Sequence, residues 1–333
     1  MSSDRLVLFS LTPSSPLAET LAERLGLDIS PHELRVFEDG ECKIRPLWDV
    51  ESRDVCILAT LFADRQSSVH DQLCQLLFFI GALRDAGAGR ISVISPYFCY
   101  SRKDRKTKLR DPTTIQYVAR LLETMQMDRM MTVDVHNLAA FQNAFRIPCA
   151  HLEVTDLLLQ KVVDELFDPR DRVDRPLTIL SPDLGGLKRA QKAREFLERN
   201  LGIEASFGVL YKERSGPKLT TGDLIGEVKG REVIIVDDMI ATGTTMQRAS
   251  DVCISQGATR VTLVATHALL TADGKRLLSS DVFHRIVVTN TIDHGDLPPE
   301  LAAKMIVVDV APLLGHVMTE WHAAWKVAAT HRN

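Results

Sequence analysis

The stretch Val233-Ile234-Ile235-Val236-Asp237-Asp238-Met239-Ile240-Ala241-Thr242-Gly243-Thr244-Thr245-Met246 carries three signals in one line of sequence. Val233 to Val236 is a run of β-branched residues, the pattern of a strand buried on both faces of a parallel sheet. Asp237 and Asp238 stand where that strand is expected to end. Ala241 to Thr245 reads as a loop of small and hydroxyl residues, and Met246, Ala249, Val252 and Cys253 open a helical pattern. A loop that runs into a helix offers backbone N–H groups and the positive end of the helix dipole to a phosphate. Thr242, Thr244 and Thr245 add hydroxyl donors. The paired carboxylates can accept hydrogen bonds from vicinal sugar hydroxyls or hold a divalent cation. An ordinary helix N-cap would use the same residue types, so the rest of the chain must choose.

With 333 residues and 45% hydrophobic content, the chain is long enough for two domains with real cores. A net charge of −4 argues against a dedicated nucleic-acid binder. No apolar run approaches the ~20 residues of a membrane span, and the first residues show no cleavable signal pattern. The six cysteines, at 42, 56, 74, 99, 149 and 253, include no Cys-x-x-Cys. They predict buried thiols in a reducing cytoplasm and no structural zinc.

In the N-terminal half, strands are expected at Leu6–Leu11, Leu34–Phe37, Val55–Leu58, Ile91–Ile94 and Met130–Val133, and helices at Leu17–Leu25, His70–Ala86 and Thr113–Met125. Three strand ends carry chemistry. Phe37-Glu38-Asp39-Gly40-Glu41 reads first as an acidic turn, because Asp-Gly is a common turn pair. Pro96 to Lys106 is a basic, partly aromatic loop, and from Arg102 to Arg110 six basic residues face one acidic residue. It could be a solvated loop or a nucleic-acid patch. Its place after a strand favours a ligand loop in which arginine clamps polyphosphate and aromatic rings meet a base. Asp134-Val135-His136 follows the fifth strand. On an extended chain, residues two apart face the same way, so Asp134 and His136 are expected to point together, as metal or nucleotide contacts.

Pro148 to His151 reads as the crossing to a second domain. A helix over Leu152–Leu166, a charged linker from Asp168 to Arg175 and a strand at Leu177–Leu180 follow. Ser181-Pro182-Asp183-Leu184-Gly185-Gly186 then leads into a basic helix with Lys188, Arg189, Lys192 and Arg194. Its glycines permit close backbone approach, and Asp183 is placed for a metal ion, though a capped turn would look the same. After a strand at Ser206–Tyr211, Lys212 to Lys218 reads as a loop without apolar periodicity. Two cations there are either solvated or close over reacting phosphates. Strands at Arg260–Ala265, Ile286–Thr289 and Met305–Val308 and a helix at Pro312–Ala328 complete the chain.

Taken together, these segments resemble the ribose-phosphate diphosphokinase, or PRPP synthetase, family from about residue 6 to residue 320. Phe37-Glu38-Asp39-Gly40-Glu41 is similar to the family's Phe-Ser-Asp-Gly-Glu, which contacts the adenine of ATP across a subunit interface. Pro96 to Arg105 is similar to its ATP stretch, with Lys103 where glutamine is usual. Asp134-Val135-His136, Ser181 to Gly186, Lys212-x-Arg214 and Asp237 to Thr245 match the remaining motifs in the family's order. The ribose-phosphate loop departs from most bacterial and animal members, which have a third aspartate where this chain has Ala241; archaeal and some plant members also lack it. The segment Asn137 to Phe145 differs as well.

The resemblance implies an α/β chain of two similar phosphoribosyltransferase-like (Rossmann-like) domains, each a mainly parallel sheet flanked by helices. The expected bounds are 1–150 and 151–310, with a C-terminal helix, 311–333, packing back on the first domain. It implies transfer of the β,γ-diphosphoryl group of Mg·ATP to the 1-hydroxyl of ribose 5-phosphate, in a cytoplasmic homo-oligomer, from dimer to hexamer. Lys212 and Arg214 would be catalytic. Phe37, Asp39, Gly40, Glu41, Arg102, Lys103, Asp104 and His136 would bind ATP. Asp237, Asp238, Ala241, Thr242, Gly243, Thr244 and Thr245, with Arg214, would bind ribose 5-phosphate. Asp134, His136 and Asp183 would serve Mg²⁺. A phosphoribosyltransferase that consumes PRPP, and a non-catalytic regulatory subunit, are the alternatives.

Overall fold

A computed structural model describes residues 6–12, 15–64, 67–167, 176–211 and 223–330. The expected linker Asp168–Arg175 and the loop with Lys212 and Arg214 lie outside these residues. The chain forms two compact units, one of Met1–Leu152 with Asp309–Asn333, the other of Glu153–Val308.

The first unit runs β1 (Leu6–Ser10), α1 (Pro16–Leu25), β2 (His32–Val36), β3 (Cys42–Pro46), β4 (Asp54–Leu58), α2 (Val69–Asp85), β5 (Arg90–Ser95), α3 (Thr114–Thr124), β6 (Arg129–Val133), α4 (Leu138–Ala144) and β7 (Cys149–Leu152). β1, β4, β5, β6 and β7 form one sheet in that spatial order, parallel throughout. β2 and β3 make a separate antiparallel hairpin. Residues of β4 and β5 are buried along their whole length, Asp54, Arg90, Ser92 and Ser95 included, as befits central strands of a parallel sheet covered on both faces. Helix starts are marked by serine caps: Ser15 accepts from the Ala18 N–H, and Ser68 forms a reciprocal capping box with Asp71.

The second unit runs α5 (Thr155–Leu166), β8 (Leu177–Ser181), α6 (Leu187–Leu201), β9 (Ala205–Tyr211), β10 (Asp223–Ile225), β11 (Glu232–Ile240), α7 (Thr244–Ser255), β12 (Arg260–Ala268), α8 (Ala272–Leu278), β13 (Arg285–Thr289), α9 (Pro299–Ala302) and β14 (Met305–Val308). The sheet order is β10-β9-β8-β11-β12-β13-β14, and only the short β10 is antiparallel to its neighbour. From β8 the chain moves outward to β9, and from β11 it moves the opposite way to β12. The strand order therefore reverses at the β8–β11 pair, the position where open α/β sheets bind ligands beyond the carboxyl ends of their strands.

Three expectations change. Pro148–His151, read as a domain crossing, falls largely in Cys149–Leu152, the edge strand of the first sheet, paired with β6. The second hairpin strand, Cys42–Pro46, and helix α4 were not foreseen; β3 buries Ile44 alone and so lacks a periodic apolar signal. β11 continues to Ile240, so Asp237 and Asp238 lie inside the strand rather than after it.

α10 (Ala311–Thr330) packs against α1 in the first unit, with Gly315 facing Leu21. Below it lies a buried ion pair. Arg90 donates to both oxygens of the fully buried Asp54, at 2.7 and 2.6 Å. His322 Nδ1 is 2.7 Å from Asp54 Oδ2, and Arg90 also donates to the Trp321 carbonyl at 2.9 Å. The guanidinium of Arg129 lies 5.2 Å from the Trp321 ring centre. Removing one member of a buried pair leaves the other charge uncompensated. Arg90→Ala is therefore expected to destabilise the first unit by about 3–5 kcal/mol. Urea unfolding followed by tryptophan fluorescence measures this, since Trp48, Trp321 and Trp325 all belong to that unit; a loss below about 1 kcal/mol would mean the pair is well hydrated. Among the described residues, no helix is long and apolar enough to cross a membrane.

Candidate functional site

In the second unit, two loops meet the switch point. β11 pairs with β8 only as far as Ile235 opposite Leu180, but pairs with β12 on to Ile240 opposite Ala268. Beyond Ile235 one edge of β11 is thus open, on the side where β8 turns into Ser181–Gly186. Asp237 and Asp238 lie on this stretch. Asp237 Oδ1 accepts from the Asp238 N–H at 2.8 Å and from Arg189 Nη1 at 3.2 Å. Arg189 is also 3.6 Å from Asp238 Oδ1. Burial and the adjacent Asp238 carboxyl push the Asp237 carboxyl well above the usual carboxylate range, and Arg189 opposes that shift.

After Ile240 the chain bends through Ala241 and Thr242 to Gly243, which caps α7 with φ +74° and no side-chain cap. The first N–H groups of α7 consequently have no side-chain acceptor, the arrangement that receives an anion. Thr242 and Thr244 place their hydroxyl oxygens 3.1 Å apart. The Ala241 carbonyl accepts from the Thr271 N–H at 3.3 Å, and a Cβ on Gly274 would stand 2.4 Å from that same oxygen. Glycine at 274 is required for this close approach. The helix begins at Thr244, two residues ahead of the expected apolar pattern.

The β8 loop folds around its own aspartate. Asp183 Oδ1 accepts from the Gly185 and Gly186 N–H groups at 2.8 and 3.1 Å, and Ser181 Oγ donates to the Asp183 carbonyl at 2.6 Å. A Cβ on Gly186 would fall 2.7 Å from Ser181 Oγ. The glycines serve the turn itself, and α6 starts at once, turning Arg189 toward β11.

In the first unit, the loops after β5 and β6 join each other. Asn137 Nδ2 donates to Asp104 at 2.6 Å while Asn137 Oδ1 caps α4 at the Ala140 N–H. Lys103 donates to Asp111 at 2.6 Å, and Asp111 also accepts from Thr107 and Lys108. Lys103 first, then these other donors, hold the Asp111 carboxyl well below the usual carboxylate range. Arg102 is exposed. Two of the three aromatic rings of this loop turn inward, and Tyr100 stays half-exposed. Tyr97 and Phe98 are buried, Phe98 packing edge-on to Phe141 of α4, and the Tyr100 hydroxyl bonds to His70. Asp134 and His136 do not share an extended face. β6 ends at Val133, Asp134 turns with φ +36° and is buried, and His136 is exposed. Phe37–Glu41 is the hairpin turn of β2 and β3. It is closed by the Phe37 N–H to the Glu41 carbonyl at 2.7 Å and by Asp39 accepting from the Glu41 N–H. Phe37 is exposed, with the Arg35 guanidinium 5.0 Å from its ring centre.

Asp111, Asn137 and Arg189 were not singled out as site residues from sequence. Arg189 stood in a basic helix face, which reads as solvated. Its position in the first turn after Gly-Gly was the available signal.

The family description for the N-terminal domain of ribose phosphate pyrophosphokinase matches residues 6–125, and that for the phosphoribosyl synthetase-associated domain matches residues 198–328. Ribose-phosphate pyrophosphokinase 1 of Streptococcus pneumoniae is 33% identical over 326 residues, 97% of this chain and 95% of its own. A relative from Lactiplantibacillus plantarum is 35% identical over 323 residues, 96% of this chain and 94% of its own. The crystal structure of phosphoribosylpyrophosphate synthetase from Mycobacterium smegmatis superimposes with a TM-score of 0.82 at 29% identity, covering 95% of this chain and 98% of that one. With matches of this identity over nearly its whole length, the chain belongs to the ribose-phosphate pyrophosphokinase, or PRPP synthetase, family.

Proposed function

We propose that this protein is a ribose-phosphate pyrophosphokinase that makes PRPP and AMP from ATP and ribose 5-phosphate. The observation that carries the reading is the acidic pair inside β11, followed by a helix start without a side-chain cap, at the switch point of the second sheet. That arrangement suits a sugar phosphate: carboxylates for the vicinal hydroxyls, N–H groups for the phosphate.

In the reaction, the 1-hydroxyl oxygen of ribose 5-phosphate forms a bond to the β-phosphorus of ATP. The bond from that phosphorus to the α-phosphate bridging oxygen breaks, AMP leaves with the electron pair, and the proton of the 1-hydroxyl is released to solvent. Catalysis of such a transfer is mainly positioning and charge neutralisation. Asp237 and Asp238 would orient the ribose. Ala241 to Thr245 would grip the 5-phosphate. Arg102, Asp104, His136 and the turn Phe37–Glu41 would bind the nucleotide, with Lys103 available once it releases Asp111. Lys212 and Arg214 would stabilise the migrating diphosphoryl group.

Among the described residues, no three His, Cys, Asp or Glu side chains converge on a metal position. Mg²⁺ fits this donor set, because it keeps several waters and is held by one or two carboxylates together with substrate phosphates. Asp183, a half-exposed oxygen donor, would contribute in the second unit, and Asp134 and His136 in the first. When bound, Mg²⁺ would neutralise charge on the triphosphate. The six free thiols support a cytoplasmic setting. Val36, Leu47 and Trp48, exposed on or beside the hairpin, support a homo-oligomer.

Incubation with Mg·ATP, with and without ribose 5-phosphate, tests the proposal. AMP and PRPP are expected in equal amounts, and only with the sugar. No AMP from folded, ATP-binding protein would overturn it. Lys212→Ala is expected to lower turnover by about 10²- to 10⁴-fold with the fold intact; near-normal turnover would remove the role given to this lysine. Asp237→Asn keeps an acceptor for Arg189 and for the Asp238 N–H but removes the like charge. Because the folded-state pKa of Asp237 is raised, its ionisation costs stability progressively as pH rises from the unfolded value through the folded one. The Asn variant is therefore expected to be more stable than wild type at neutral pH, by about 1 kcal/mol, a usual size for relieving a strained site. The gain should vanish in acid, while affinity for ribose 5-phosphate falls. Calorimetric melting at several pH values and sugar-phosphate titration measure both effects.

A further inference from the structure

We infer that Arg189 is a positioning residue that sets how the acidic pair reads the hydroxyls of the acceptor sugar. The inference rests on the proposed function and deepens it.

The geometry is specific. Arg189 reaches Asp237 Oδ1 at 3.2 Å and stands 3.6 Å from Asp238 Oδ1, so a single guanidinium nitrogen spans both carboxyls. The Asp238 N–H donates to the same Asp237 Oδ1. Two donors on one oxygen fix the Asp237 carboxyl plane and leave the other oxygen turned away from them. Arginine is suited to this, since the two N–H bonds of one guanidinium nitrogen are fixed in a plane, where a rotating ammonium would let the carboxyls swivel. The side chain is also confined. Arg189 is in the first turn of α6, whose start is fixed by the Ser181–Gly186 turn, and α6 packs against β8 and β11. The loop that carries Asp183 therefore aims the arginine that orients Asp237.

The chemical consequence is selectivity. Two adjacent carboxyls can each accept from one of two vicinal hydroxyls, provided both are held in register with the sugar. A site built to hydrogen-bond a hydroxyl strongly rejects an analogue without it, because buried acceptors are then left unpaired. Arg189 contributes to this discrimination by keeping the acceptors oriented. Its role is exerted through the two carboxyls that it holds.

The test compares ribose 5-phosphate with 2-deoxyribose 5-phosphate in wild type, Arg189→Lys and Arg189→Met. In Arg189→Met, KM for ribose 5-phosphate is expected to rise about 10- to 100-fold, KM for ATP to stay within about twofold, and the preference for ribose over deoxyribose 5-phosphate to shrink at least about tenfold. Arg189→Lys, which keeps the charge and loses the fixed plane of donors, should fall between them. A Met variant that folds and keeps the wild-type preference would overturn the inference, as would equal rises in KM for both substrates. Titration calorimetry of the two sugar phosphates with each variant gives the same ratio without turnover. Wild-type protein that binds ribose 5-phosphate but forms no PRPP would thus refute the proposed activity, and the role of Arg189 would still be decided by the binding ratios. A Met variant that does not fold leaves the Lys variant to decide, and an unchanged preference there, with the sugar affinity also unchanged, would count against the inference.

Discussion

Two carboxyls side by side in a β-strand repel each other, and much of the second unit is arranged around that repulsion. Asp237 and Asp238 are carried on β11 beyond the point where β8 leaves it, so the strand is bonded along one edge and open along the other. Burial makes the pair costly, and the raised Asp237 carboxyl is the sign of it. Part of what offsets the cost is local: the Asp238 N–H and Arg189 both reach Asp237. The glycines of the β8 loop follow from the same need, since only a tight turn brings α6 back soon enough for its first turn to face β11. Strain of this kind, kept at the place where a ligand would relieve it, is a common bargain between stability and function.

The first unit solves a different problem, which is to hold long polar loops without a core. Asp111 gathers Lys103, Thr107 and Lys108 around one oxygen, and Asn137 joins the loop after β5 to the loop after β6 while capping α4. The root of the basic loop is pinned by rings rather than by polar bonds, with Phe98, Phe141 and Phe145 in mutual contact. Cationic side chains further along are left outward. Such a loop is ordered at its base and electropositive at its tip, a suitable design for meeting a polyphosphate.

Most of the sheet could be read from the chain because its strands are buried on both faces, and Val233–Val236 or Ile91–Ile94 admit few other readings. β11 outran its prediction because aspartate is a poor strand former, so local preference stops at Val236 while pairing with β12 carries on. Cys42–Pro46 alternates charge with a single buried isoleucine and ends in proline, which reads as loop. The strand ends at Val133 as expected, but the left-handed turn at Asp134 was invisible because the tripeptide alone gives no hint that the chain leaves the extended conformation there. Ligand loops were recognised by motif, whereas their internal bonding was not, because Asp111 and Arg189 act through partners 8 and 48 residues away.

α10 belongs to the first unit, yet it follows the whole second unit in the chain. During synthesis the strands that present Asp54 and Arg90 emerge long before the helix that covers them. At about 5–20 residues per second, that interval is on the order of ten seconds or more. For that time a buried-type ion pair and the apolar face of α1 are open to water and to other chains. The cover over this surface is thus completed only after the whole second unit has been made.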